Sequence, residues 1–221
     1  MKLSVLISVF NEEGTVRHLL DHVLVAPVEK EVIVVDDCST DKTWSVLQSI
    51  SDPRVHTFRH EVNQGKGSGI CTALRHATGD LVIIQDADLE YDPNDYPKLL
   101  GPIQNGTANV VYGVRDLSEQ KPFTRLGNNF LTFATNLLYG SHISDMETCY
   151  KLMPREVMQS LNLRPSRFQI EPEITAKLLR KGHRIAEVPI WYRPRQDKKL
   201  NPWKDGLPAL WTLVKYRFTE V

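Results

Sequence analysis

The chain has 221 residues, 41% hydrophobic and 24% charged, which suits one sizeable soluble domain rather than two small ones. Lysine plus arginine and aspartate plus glutamate each number 27, so no global field draws in nucleic acid and partners must be recognised by local charge. Three scattered cysteines, Cys38, Cys71 and Cys149, form no CxxC and point to reduced thiols in a cytosolic setting.

In chain order, the pattern predicts strand over Leu3–Phe10, helix over Gly14–Leu24, strand over Val32–Val35 and helix over Asp41–Ile50. Strand Val55–Arg59, helix Gly67–His76, strand Leu81–Ile84, helix Asn94–Gln104 and strand Asn109–Val114 follow. Strands continuous in Val, Ile and Leu, separated by amphipathic helices, imply a mostly parallel sheet covered on both faces. The second half is less regular. Helices are expected over Phe123–Tyr139 and Pro172–Arg180, a strand in "RIAEVPIWYRP", and a last helix over Trp203–Phe218 with Pro208 near its start.

The opening "MKLSVLISVF" has the outline of a secretory leader, but it runs straight into "NEE" with no small-residue cleavage site, so it reads as a buried strand. No apolar run approaches the roughly 20 residues that span a bilayer. His56 and His60 have helical spacing inside a β-like run, which argues against a zinc site.

Ligands of parallel sheets bind beyond the carboxyl ends of the strands. "NEE", "DDCSTD" and "DAD" each follow a strand directly, so they are expected to converge on one cleft. In "VVDDCSTDKT", Ser39, Thr40 and Asp41 offer helix caps, which leaves one of Asp36 and Asp37 for a base or ribose. "NQGKGSG" fails as a phosphate loop, because Gly67 rather than Ser or Thr follows Lys66; it reads as a turn opening a helix, with Lys66 able to reach the cleft. In "QDADLEYDPNDYP", Asp86 and Asp88 lie on the same side of an extended backbone. Two facing carboxylates repel unless a cation sits between them, and hard oxygen ligands suit Mg²⁺ or Mn²⁺ shared with substrate phosphates.

The ordered set "SVFNEE", "VVDDCSTDKT", "NQGKGSGI", "QDADLEYDPNDYPKLL", "DMETCYKL", "RFQIEPEITAKLLRKGHRIAEVPIWYRPR" and "WKDG" covers nearly the whole length. It resembles the family 2 glycosyltransferases of GT-A fold, in their dolichyl-phosphate mannosyltransferase-like branch. The resemblance implies a single Rossmann-like α/β domain over 1–221, with a nucleotide-sugar half (1–115) and an acceptor half (116–221) ending in an amphipathic helix. It implies that Asn11, Glu12 and Asp37 hold the nucleoside of a UDP- or GDP-sugar. Asp86 and Asp88 would bind the metal and diphosphate, with Glu90 a further ligand. Arg115 and Arg125, with Asn129 nearby, fall where this branch grips a polyprenyl or dolichyl phosphate. Arg195 and Lys198 or Lys199 fall in the loop that closes over the donor. Val9 and Phe10 stand where the family carries proline and tyrosine, and "QDKKLNP" is shorter than the usual lid.

Two acceptors remain open. A glycan hydroxyl needs a base, for which Asp145 is the candidate. A lipid phosphate needs only cations, and Arg115 and Arg125 favour it. Sugar-nucleotide binding without turnover is the third reading. The last helix, with Trp203, Trp211, Tyr216 and Phe218 among Lys204, Lys215 and Arg217, either packs on the core or lies on a membrane surface.

Overall fold

The computed structural model describes residues 1–164, 169–195 and 202–219, the last from its backbone alone over 202–205. Strand β1 (Leu3–Val9) opens the chain, and β2 (Lys30–Asp36), β3 (Val55–Arg59) and β4 (Leu81–Ile84) follow it as parallel neighbours. Helices α1 (Val16–Val25), α2 (Thr43–Gln48) and α3 (Lys66–His76) connect them. β5 (Val110–Arg115) comes after a 3-10 turn at Pro93–Asp95 and α4 (Tyr96–Gln104). Every element expected in this half is present, its ends moved by less than a turn.

The second half adds α5 (Pro122–Tyr139), β6 (Lys151–Pro154), α6 (Arg155–Ser160), α7 (Ile170–Arg180), β7 (Ile185–Ile190) and α8 (Pro202–Phe218). The seven strands form one sheet in the order β3-β2-β1-β4-β6-β5-β7. β6 runs antiparallel to both β4 and β5, whereas β7 is parallel to β5. β6 and α6 had no counterpart in the sequence reading.

The core follows from the apolar runs. Val32, Ile33, Val34 and Val35 of β2 and Val82, Ile83 and Ile84 of β4 are all fully buried. A second cluster, with Leu131, Met146, Ala176 and Leu213, joins α5 and α8 to α7. α8 thus packs on the core through one face, while Trp211 and Phe218 remain exposed.

Two devices fix α3 and the lower sheet edge. A Cβ at Gly69 would lie 2.1 Å from Ser8 Oγ, so only glycine lets α3 cross β1 this closely. At the opposite end of the strands, the buried Glu31 accepts from Lys2 Nζ, Ser4 Oγ, and Thr78 N and Oγ1. Burial alone would raise its pKa; these donors outweigh it and lower it to about 2.

Candidate active site

The loops after β1, β2 and β4 share a feature that residue type does not predict. Asn11 (φ 55°), Cys38 (φ 63°) and Leu89 (φ 61°) are left-handed without being glycine. Such conformations cost free energy and cluster at functional sites. Here they mark one edge of the sheet. β6 adds a fourth segment to that edge: being antiparallel, it brings "DMETC" in where the parallel strands end.

The loop after β1 is held by its neighbour. Asn11 Oδ1 accepts from Thr40 N at 2.8 Å, and Glu12 N donates to Thr43 Oγ1 at 2.8 Å. Glu12 Oε1 accepts from Arg195 Nη1 at 2.8 Å, so the segment after β7 reaches across to the segment after β1. The Glu12 carboxylate raises the Arg195 pKa further. Lys198 and Lys199 lie outside the described residues.

Asp36 and Asp37 are both buried. Asp36 pairs with Arg59 Nε at 3.0 Å and accepts from Ser39 N. Asp37 Oδ1 contacts His60 Nδ1 at 2.7 Å and accepts from Gln64 N, while Oδ2 accepts from Gly65 N at 2.7 Å. Each carboxylate therefore shapes the loops after β2 and β3 from within, and Asp37 pins the "NQGKG" turn that starts α3.

That turn delivers Lys66. Its Nζ lies 2.6 Å from Asp86 Oδ1 and 2.5 Å from Glu171 Oε1. Burial opposes the ammonium charge, but Asp86 and Glu171 more than offset this and hold the Lys66 pKa well above its ordinary value. Asp88, two residues on and half-buried, accepts from Glu90 N at 3.2 Å. A cleft of about 470 Å³ opens beside it, lined by Asp88, Leu89, Glu119, Arg193, Pro194 and Arg195.

Glu90, expected as a further metal ligand, is buried beside Asp88. It is 2% exposed; Oε1 accepts from Arg195 N at 2.7 Å and Oε2 from Tyr192 OH at 3.1 Å. Its carboxylate ties down the segment after β7. Among the described residues, no three His, Cys, Asp or Glu side chains gather as a metal-binding group.

Arg115 and Asp145 prove to be partners. Arg115 Nε and Nη2 donate to Asp145 Oδ2 and Oδ1 at 2.7 and 2.8 Å, and the two side chains are 5% and 2% exposed. Arg115 also lies over the Tyr192 ring, 5.2 Å from its centroid. The pair forms part of the floor. The group expected to meet the acceptor phosphate, Arg115, and the expected base, Asp145, are thus paired with each other here. Arg125 differs: it is exposed on α5 and makes no side-chain ion pair among the described residues, and Asn129 is exposed one turn on.

Several site groups were missed in the sequence. Glu171 sits in the first turn of α7, where an acid is ordinarily read as serving the helix dipole. Lys151 is fully buried, donating from Nζ to Met146 O and Thr148 O at 2.7 Å each; burial lowers its pKa. Glu147 Oε1 is buried and has no hydrogen-bond partner among the described residues. Asn128 Nδ2 donates to Gln120 Oε1, Gln120 Nε2 donates to Tyr192 OH, and Tyr192 OH donates to Glu90, so α5 is wired to the loop that carries Asp88.

Strand-end carboxylates, a helix-borne lysine and a cross-site arginine share this edge of the sheet. The match to the family model described as glycosyl transferase family 2 spans residues 4–161, and the chain belongs to that family. It is 30% identical over 216 residues to a dolichol-phosphate mannosyltransferase of Pyrococcus furiosus, covering 90% of this chain and 59% of that protein's length. It is 26% identical to an undecaprenyl-phosphate mannosyltransferase of Micrococcus luteus, with 98% and 99% covered. The fold matches glucosyl-3-phosphoglycerate synthase of Mycobacterium tuberculosis, solved with Mn²⁺, UDP and phosphoglyceric acid, with a TM-score of 0.81 at 22% identity over 100% of this chain and 80% of that one. The single GT-A-like α/β domain expected from the sequence is what is found.

Proposed function

We propose that the protein transfers a sugar, with inversion, from a UDP- or GDP-sugar to a polyprenyl phosphate. The observation that carries the acceptor is the locking of Asp145 by Arg115. A sugar hydroxyl needs a base to take its proton, and the acid placed for that work is held in an ion pair. A lipid phosphate is already anionic at neutral pH and needs only positioning cations. Arg125 supplies one, and its planar fork suits phosphate. The names of the archaeal and bacterial relatives support the same acceptor class.

In this reading residues 1–115 hold the nucleotide sugar and residues 116–221 the acceptor. Asn11, Glu12 and the loops shaped by Asp36 and Asp37 take the nucleoside. Asp86 and Asp88 fit Mg²⁺ or Mn²⁺: both are hard oxygen donors, and the Lys66 ammonium beside Asp86 marks a place that already holds positive charge. Such an ion, when bound, neutralises charge on a departing diphosphate. Arg115 acts as a positioning residue through Asp145 and Tyr192.

The acceptor phosphate oxygen attacks the anomeric carbon from the face opposite the diphosphate. A new carbon–oxygen bond forms as the old one breaks, and its electron pair leaves on the nucleoside diphosphate. No proton moves and no covalent sugar–enzyme intermediate forms. Lys66 and Arg195 stabilise the leaving charge. Binding without turnover would have no use for Arg125.

One observation favours a second reading, with a glycan hydroxyl as acceptor. Burial and the nearby Glu171 push the Glu147 pKa up to about 7, where a general base works well. Labelled UDP- and GDP-sugars, offered with divalent metal to polyprenyl phosphate or to a soluble glycan, decide between them. The proposal expects label in the organic phase, inverted configuration, loss of transfer in Asp88→Asn and retained transfer in Glu147→Gln. Label on the glycan alone, abolished by Glu147→Gln, establishes the second reading. Retained configuration refutes the single displacement.

A further inference from the structure

Buried polar atoms are nearly always hydrogen-bonded, so each exception asks for a reason. Among the described residues three side-chain oxygens are buried without a hydrogen bond. Asp36 Oδ2 is answered by Arg59 Nε at 3.0 Å, and Thr148 Oγ1 is a neutral hydroxyl. Glu147 Oε1 differs, because its carboxyl forms no hydrogen bond and no ion pair among the described residues. The residue is half-buried, so the carboxyl stands at an opening.

The backbone around it is tied on both sides. Met146 N donates to Thr132 Oγ1 at 3.2 Å, and Cys149 N donates to Tyr91 OH at 3.1 Å. Lys151 Nζ holds Met146 O and Thr148 O, the carbonyls that flank Glu147. A segment gripped in this way aims the carboxyl that it leaves unpaired. Its neighbours say where. Cys149 Sγ contacts Ile84 O at the end of β4, two positions before Asp86. Glu171 is the acid that acts on Glu147 most strongly, and Glu171 holds Lys66, which holds Asp86.

We propose that Glu147 selects the sugar: its carboxyl accepts from two neighbouring hydroxyls of the transferred unit and commits the protein to neutral sugars over uronic acids. The inference rests on the nucleotide-sugar reading and names the donor class within it. Sugar hydroxyls are donors arranged in adjacent pairs, and a carboxylate offers two acceptor oxygens to match. The acceptor phosphate is the wrong partner, since it is an anion that Glu147 would repel. In that reading Lys66 and Arg195 meet the diphosphate, and the loops after β1 and β2 meet the nucleoside. The sugar is the part of the donor left without a partner. A uronate placed beside Glu147 and Glu171 would bring a further negative charge into a half-buried place, which turns it away. A site built around hydroxyls also rejects analogues that leave its own polar group unpaired.

The test is calorimetry in Mg²⁺ on wild type, Glu147→Leu and Glu147→Gln. The ligands are UDP, GDP, UDP-glucose, UDP-N-acetylglucosamine, GDP-mannose, UDP-glucuronate and GDP-mannuronate. Wild type is expected to bind a neutral sugar nucleotide about tenfold or more tightly than the uronate on the same nucleotide. Glu147→Leu weakens the neutral sugar nucleotide about tenfold or more and leaves the bare nucleoside diphosphate unchanged. Its melting temperature does not fall, because an unpaired carboxyl has been replaced by an apolar group. Glu147→Gln keeps one acceptor oxygen, so it loses less affinity, and transfer persists with a raised KM for the donor. Equal weakening of sugar nucleotide and nucleoside diphosphate in Glu147→Leu, with a lower melting temperature, reveals a structural role and overturns the proposal. So does a variant that binds every ligand as wild type does, or a wild type that takes the uronate equally well. Glu147→Gln that keeps donor affinity but loses all turnover makes Glu147 a base instead. Wild type that binds neither UDP nor GDP overturns the nucleotide-sugar reading itself, and this inference with it.

Discussion

Asp145 receives Arg115 at both carboxylate oxygens, 30 positions along the chain, and the pair is sealed beneath the site. Removing one member of a buried pair leaves the other charged and unmatched, at a cost of about 3–5 kcal/mol. Asp145→Asn is therefore expected to lower the urea midpoint sharply as well as activity. Arg115→Met combined with Asp145→Leu recovers most of the stability while activity stays low. Had Asp145 served only as a base, Asp145→Asn would fold with near wild-type stability.

Lys66 bridges Asp86 and Glu171. Lys66→Met leaves two carboxylates close together without a cation, which raises the demand for one. Mn²⁺ titrated into the substrate-free protein by calorimetry should then bind roughly tenfold more tightly, while kcat falls because leaving-group charge is less well met. Unchanged Mn²⁺ affinity would separate Lys66 from the Asp86 site.

Glu31 and Glu147 give stability opposite slopes with pH. The Glu31 pKa is lowered from 4.5 to about 2, so its contribution is whole above 4.5 and is lost as pH falls through about 2. The Glu147 pKa is raised from 4.5 to about 7, so folding favours its protonated form, and stability falls as pH rises from 4.5 to about 7. Glu31→Gln should flatten the acid limb of a pH–stability curve and Glu147→Gln the limb toward neutrality. Identical curves for Glu147→Gln and wild type would remove the perturbed carboxyl.

At Gly69 a methyl group would collide with the Ser8 side chain. Gly69→Ala is expected to cost about 1–3 kcal/mol in chemical denaturation. Ser8→Gly in the same chain should restore most of it, since the clash involves both Ser8 Oγ and Cβ. Failure of that rescue would place the strain elsewhere on α3.

The parallel strands were legible because burial on both faces writes itself as unbroken Val, Ile and Leu. β6 was not: "KLMP" is short and begins with a lysine whose burial is made possible by Met146 O, Thr148 O and the Tyr112 ring 4.2 Å away. Asp86 and Asp88 were placed from a motif at a strand end and lie at the expected edge, and Arg195, placed by the family resemblance, reaches Glu12 there. Who pairs with whom was hidden, because Lys66 meets Glu171 at 105 positions' distance and Glu90 meets Tyr192 at 102. Local sequence carries no record of such contacts. It also gave no warning of the left-handed Cys38 and Leu89, whose conformations are imposed by the surrounding loops.

The place of β6 between β4 and β5 has a consequence for the nascent chain. Leu81–Ile84 gains its second neighbour only when Leu152, Met153 and Pro154 have been synthesised, and β5 emerges in between without ever pairing with β4. Until then a wholly apolar strand has one bare edge, open to any passing strand. Release from the ribosome before Pro154 would leave an adhesive half-sheet and no free-standing nucleotide-binding module. The later part of the chain is the seal on the earlier one, and translation has to reach it before the sheet is safe from aggregation.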